Sequence, residues 1–212
     1  ERTEMVCLTP QQFGALRSEL PERWRPFATV LAGTGLRFGE AVALTVSDVD
    51  LLAPTPVLRV TKALARTDSG FEVGPPKTRK SRRTVSLPAD LVDVLAPLVA
   101  RPGSELLFVG PTGARVHHAN FYNRAWSPAV GRFAGDRKVD DVVVRGDGPR
   151  PRIHDLRHSH ASWLIAAGVP LPAIRDRLGH ESITTTVDTY GHLMPDQHRQ
   201  TAAALDGLLV ER

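Results

Sequence analysis

"PVLRVTKALARTDSGFEVGPPKTRKSRRTVSLP" (residues 56–88) interrupts a chain that otherwise reads as helix. Its apolar residues are β-branched and come in short runs, "PVLRVTKAL", "GFEVGPP" and "RRTVSLP". "RTDSG" between the first two is turn chemistry, and "PKTRKS" joins the last two. The stretch predicts a three-stranded antiparallel meander. Upstream, "LTPQQFGALRSEL" starts a helix with Thr9 as N-cap and Pro10 in the first turn. "WRPFATVLAGTGLRFGEAVALTV" predicts two buried helices broken at Gly33–Gly35. Downstream, "PADLVDVLAPLVA", "HANFYNRAWSPAVGRF", "HDLRHSHASWLIAAG", "PLPAIRDRLG", "ESITTTVDTY" and "PDQHRQTAAALDGLLVE" return to a helical period. "AGDRKVDDVVVRGDGPRPR" is charged and rich in Gly and Pro, and predicts a loop or a poorly ordered insert. The fold class is therefore α+β, mostly helical, one domain with a small three-stranded antiparallel sheet near its middle.

The totals exclude several classes. The 212 residues can bury a real core. A single cysteine, Cys7, allows no intrachain disulfide, and no apolar run reaches membrane-spanning length. These features predict a cytoplasmic protein. A formal charge of +4 and a pI near 9.7 favour a polyanionic partner. The chain opens on "ERTEMV" without an initiator Met, which we read as a linker remnant (about 1–8) with something upstream.

Four clusters bear on chemistry. In "KTRKSRR" (77–83), five of seven residues are Lys or Arg. On a hairpin they form a positive tongue for a phosphate backbone, or a solvated turn that protects a sheet edge. In "TGLRFGE", Arg37 sits among apolar residues, and Glu40, three residues on, can pair with it. The pair is either structural or a means of aiming Arg37 at an anion. In "HDLRHSHA", His154 and Arg157 share a helix face and can reach one phosphate. His158, four residues from His154, makes half a metal site, but Asp155 stands where a zinc-protease motif has Glu, and no third ligand has a recognised spacing. The bland reading is a helix start capped by Asp155. In "LGHESITTTVDTYGH", His180 follows a helix stop. Tyr190, one of only two tyrosines, lies ten residues later. A straight helix would separate the two by about 15 Å and about 80°, so they meet only if the chain bends. "ITTT" is a poor helix former, so the segment carrying Tyr190 should be weakly held.

In this order the clusters resemble the tyrosine recombinase (phage integrase) family, over essentially the whole chain, as that family's C-terminal catalytic domain. The resemblance implies that Arg37, Lys77, His154, Arg157, His180 and Tyr190 are the catalytic set. Glu40 and Asp155 support it. Lys80 and Lys62 are alternatives to Lys77. It implies that Tyr190 attacks a DNA phosphodiester and holds the strand as a 3′-phosphotyrosine. Arg37, Arg157 and His180 stabilise the charge that builds on the phosphate. His154, helped by Lys77, is the candidate to take the phenol proton, and a Lys protonates the leaving 5′-oxygen. No metal or other cofactor is needed. Lys62, Arg66, Arg79, Lys80, Arg82 and Arg83 are candidate phosphate contacts, with His118 and Asn120 as further DNA contacts, although a capped helix start also explains Asn120. The implied partners are double-stranded attachment sites, other protomers in a synaptic tetramer and an accessory directionality factor. The tail, about 195–212, would dock on a neighbouring protomer or fold back on its own domain. A type IB topoisomerase, a catalytically silent DNA-binding module and a His-based metal hydrolase are the competing readings.

Overall fold

The computed structural model describes residues 5–68, 70–76 and 78–191. Helix α1 (Pro10–Glu19) begins as its sequence predicts. The Thr9 hydroxyl accepts from the Gln12 backbone, and the Gln12 side chain accepts from the Thr9 backbone. Helix α2 (Arg25–Thr34) is buried on most sides. It stops at Gly35, which is left-handed (φ 67°); a Cβ there would strike the side chains of Leu178 and His160. Two residues later, after extended Arg37, the chain re-enters helix as α3 (Phe38–Ala41). Trp24, Phe27, Phe38, Phe108 and Phe121 pack largely edge to face and form the aromatic centre of the main core.

The strands differ from the expected meander. The three-stranded antiparallel sheet is ordered β1–β2–β5, where β1 is Val49–Asp50, β2 is Val57–Val60 and β5 is Arg83–Ser86. Between β2 and β5, β3 (Ala63–Thr67) and β4 (Gly70–Gly74) pair only with each other. The physical reason lies at Lys62. Leu58 and Val60 face inward, and strand alternation would bring residue 62 inward next. A Lys cannot continue that face. The strand ends, and the Lys62 ammonium turns to Asp48 (2.8 Å) and Thr45 (2.9 Å). β3 and β4 then project as a separate tongue that leaves Phe71 60% exposed.

Helix α4 (Ala89–Val99) follows the sheet. Helices α5 (His118–Phe121) and α6 (Ser127–Phe133) are joined by a π-helical turn. The insert after α6, expected to be a loop, is a hairpin of β6 (Arg137–Val139) and β7 (Val142–Val144). Asp140 and Asp141 both adopt positive φ, as a two-residue hairpin turn requires. The chain closes with α7 (Asp155–Ala166), α8 (Leu171–Leu178) and α9 (Ile183–Tyr190). Helix α7 is pinned to the start of the chain: the Leu8 N–H donates to the Ser159 hydroxyl, and the Trp163 indole N–H donates to the Leu8 carbonyl. No described helix is long and apolar enough to cross a membrane. The expected tail helix lies outside the described residues.

Candidate active site

Three helix ends converge on one side chain. Arg157, in the first turn of α7, is buried and donates to the Gly35 carbonyl (2.6 Å) and the Leu178 carbonyl (2.7 Å). These are the carbonyl-rich ends of α2 and α8, where a guanidinium offsets the unpaired acceptors. Two of its five N–H groups are used there. Burial, and then the Arg37 charge, lower its pKa. An Arg nevertheless remains a cation at neutral pH.

Arg37 precedes α3. Its side chain is 42% exposed and lines a cleft of about 710 Å³ with Glu40, His180 and the strap that leads into β5. Glu40 is buried and makes four bonds. One oxygen accepts from the Arg37 backbone N–H (2.9 Å) and Arg83 Nη2 (2.9 Å). The other accepts from Arg37 Nη1 (3.1 Å) and Arg83 Nη1 (3.0 Å). Burial alone would raise the Glu40 carboxyl, but the Arg83 hydrogen bond and charge, followed by Arg37, hold it below its ordinary value.

His180 and Tyr190 do meet, because the chain turns at left-handed Gly179 and restarts at the N-cap Ser182. Their rings lie parallel with centroids 6.5 Å apart. Tyr190 is 1% exposed and packs with Ala161, Ile165, Ile174 and Leu178. Burial pushes its phenol up to about 12. His180 Nδ1 is 2.9 Å from the buried Thr186 hydroxyl, and burial followed by Arg157 pushes the imidazole down to about 4. A neutral ring carries one proton. When Thr186 donates to Nδ1, that proton sits on Nε2, and His180 is a hydrogen-bond donor. Thr186→Val should therefore cost about 1–3 kcal/mol in urea denaturation, the penalty of an unpaired buried acceptor. Thr186→Ser should recover most of it.

His154 stands just before α7, with its ring edge-on to that of His158, centroids 4.8 Å apart. Desolvation, Arg157 and Arg37 lower its pKa. Asp155 is fully buried and binds Arg152 through the backbone N–H (2.8 Å) and the guanidinium (2.8 Å), so it fixes the turn that presents His154. Sequence reasoning missed one contact. His158 Nδ1 lies 2.8 Å from the Tyr190 hydroxyl. The available signal was the four-residue spacing from His154, which puts both rings on one helix face.

The basic residues divide. Arg66 and Arg82 are exposed, as are His118 and Asn120. Helix α5 starts after His117, so Asn120 is not its cap. Arg83 is inside: its side chain is 5% exposed, and Nε donates to the Arg177 carbonyl (2.7 Å), so its place as a surface phosphate contact is corrected. Lys62 is held by Asp48, and Lys80 donates to the Glu181 carbonyl (2.9 Å), which fastens the strap to the turn before α9. Lys77 and the Arg79 side chain lie outside the described residues. Among the described residues no group of three His, Cys, Asp or Glu is placed to hold a metal.

The sequence profile of the phage integrase family matches residues 8–197. The chain belongs to the phage integrase family. It is 34% identical over 211 residues to the ICEBs1 integrase of Bacillus subtilis strain 168, covering 98% of this chain and 56% of that protein. It is 28% identical over 209 residues to the integrase of Mycobacterium phage L5, covering 96% and 52%. The chain thus spans about half the length of the curated relatives it matches. In fold it is similar to the Tn1549 transposon integrase in complex with circular intermediate DNA (TM-score 0.72, 23% identity, 97% of this chain and 69% of that one). It is also similar to the catalytic domain of bacteriophage HP1 integrase (TM-score 0.58, 21% identity, 97% of each). The mostly helical architecture with a small antiparallel sheet is the tyrosine recombinase catalytic fold.

Proposed function

We propose that this member of the phage integrase family is the catalytic part of a site-specific recombinase. It cleaves and rejoins DNA strands through a covalent 3′-phosphotyrosyl intermediate at Tyr190. The carrying observation is a buried phenol whose hydroxyl meets a histidine, beside a cleft lined by Arg37 and His180. A phenol held at about 12 is protonated and inert until a phosphate arrives. Arg37, anchored by Glu40, and the remaining N–H groups of Arg157 bind the two non-bridging oxygens, where charge grows in the transition state. His180 adds a hydrogen bond, and His154 faces the same phosphate. Lys77 gives its proton to the leaving 5′-oxygen. Arg66 and Arg82 follow the backbone on either side, so binding should weaken steeply with salt. The partners are duplex attachment sites, further protomers in a tetramer and a directionality factor. The DNA complex of the Tn1549 integrase supports the first of these.

The test is a pool of nicked duplexes with randomised core sequence, incubated with the protein in EDTA and run on a denaturing gel. A DNA adduct should appear, vanish in Tyr190→Phe and persist in Tyr122→Phe. If neither this chain nor a longer form carrying it traps any duplex that it binds, strand cleavage is wrong, and a DNA-binding module takes its place. An adduct that survives Tyr190→Phe would move the nucleophile elsewhere.

A further inference from the structure

We infer that His158, the residue after the arginine of the His-x-x-Arg pair, is the catalytic base that takes the Tyr190 proton during strand cleavage and returns it during rejoining. The inference rests on the strand-cleavage reading above and deepens it. Resemblance gave this role to His154, but geometry separates the two rings. His158 Nδ1 is 2.8 Å from the Tyr190 oxygen. His154 meets the site through its edge-on contact with His158, and its surroundings include Arg37 and Arg157, the phosphate-binding side of the cleft.

His158 is suited to the task. It is half-buried on α7, and Tyr190 reaches it from α9. The charged and titratable groups around it are His154, Asp155, Arg157 and Arg152 on its own helix and the turn before it, with His180 from the α8–α9 turn. Burial, and then His154, push it down to about 4, so its ring is neutral near pH 7. The Tyr190 O–H then donates to the Nδ1 lone pair, and the ring proton sits on Nε2. The wide gap between a phenol near 12 and an imidazole near 4 keeps the proton on oxygen in the free protein. It moves only as the oxygen gives its electron pair to phosphorus, next to a phosphate whose negative charge favours an imidazolium.

The step balances. The Tyr190 O–H bond breaks and an Nδ1–H bond forms. The Tyr190 oxygen bonds to phosphorus, and the bond from phosphorus to the 5′-oxygen breaks. That oxygen leaves as a hydroxyl with a proton from a Lys ammonium. Rejoining reverses each bond change, and Nδ1–H returns its proton to the departing phenolate.

The test uses a nicked duplex recovered as an adduct from the randomised pool. Wild-type protein must trap it and Tyr190→Phe must not; failure at this point sinks strand cleavage itself. With that activity in hand, His158→Ala should slow adduct formation about a hundredfold or more. Added imidazole should restore part of the rate. A duplex with sulfur in place of the 5′-oxygen, whose leaving group needs no proton, should not. His158→Asn puts a carbonyl oxygen near the position of Nδ1. It keeps the hydrogen bond but cannot take the proton, so it should stay slow. A rate within about threefold of wild type in either variant overturns the assignment, and so does recovery with the sulfur duplex. Melting curves establish that each variant folds. Should neither fold, the imidazole ¹⁵N spectrum of the wild-type chain decides: the His158 Nδ1 resonance must move in Tyr190→Phe, and an unmoved signal overturns the contact.

Discussion

Glu40→Gln is expected to lower stability by about 3–5 kcal/mol, the cost of breaking a buried ion pair from one side. For a chain of this size that is a fall of roughly 6–20 °C in melting temperature. Glu40 accepts four bonds from two arginines, and Arg83, its deeper partner, has almost no access to water. An amide supplies one acceptor oxygen where two are needed and turns an NH₂ group toward the Arg37 and Arg83 donors. A guanidinium is then left buried beside another donor. The loss belongs largely to the stranded Arg83 charge. The double variant Glu40→Gln/Arg83→Met should then be more stable than the single variant by about 1–2 kcal/mol. Urea denaturation of the four members of the cycle measures it. A loss below about 1 kcal/mol in Glu40→Gln would mean that water reaches the carboxylate and that Arg37 is not fixed by it.

The same residue shows what the sequence could reveal. Arg37 and Glu40 are three apart on a helix start, so their pairing is visible in the local spacing. The second partner is not. Arg83 lies 43 positions away, at the end of a basic run whose composition reads as a solvated tongue. Only tertiary packing decides which cation of that run turns inward, and chain spacing carries no record of it. The sheet has the same character. The short β-branched runs identify strands, but the run 56–64 is continuous in composition and broken in space, at Lys62. An inward-facing Lys was the sign of that break. In β6–β7 the paired Asp residues specify a hairpin turn, while the surrounding Gly and Pro suggest a loop. The helices that border the candidate site were the most legible part. Helix stops at Gly35 and Gly179 and the His-x-x-Arg pair at the start of α7 are local patterns, and each places a side chain where helix geometry requires it.

The second large effect is acid unfolding. His158, His160 and His180 are pushed down to about 4, about 3 and about 4, in each case first by burial. His160 Nε2 accepts from Arg177 Nε (2.9 Å), so protonation would set two donors against each other. In an unfolded chain all three titrate near 6.5. Above that value both states are neutral and pH has no effect through these groups. As pH falls below it, the unfolded chain takes up protons that the native chain refuses, so stability falls. The loss accumulates from about 6.5 down to about 4, where the native rings begin to protonate as well. Each proton contributes about 1.4 kcal/mol per pH unit, so the three together contribute about 4 kcal/mol per unit. Two pH units at that slope would consume most of the stability of an ordinary domain. Glu40, held low by Arg83, adds a loss of the same sign once pH drops below the ordinary carboxylate range. Urea denaturation at pH 7, 6 and 5 should show a loss of about 2 kcal/mol over the first unit and about 4 kcal/mol over the second. His160→Gln, whose amide oxygen can accept from Arg177 in place of Nε2, should reduce the slope by about one proton. A stability that stays flat between pH 7 and 5 would require these rings to be hydrated in the native chain.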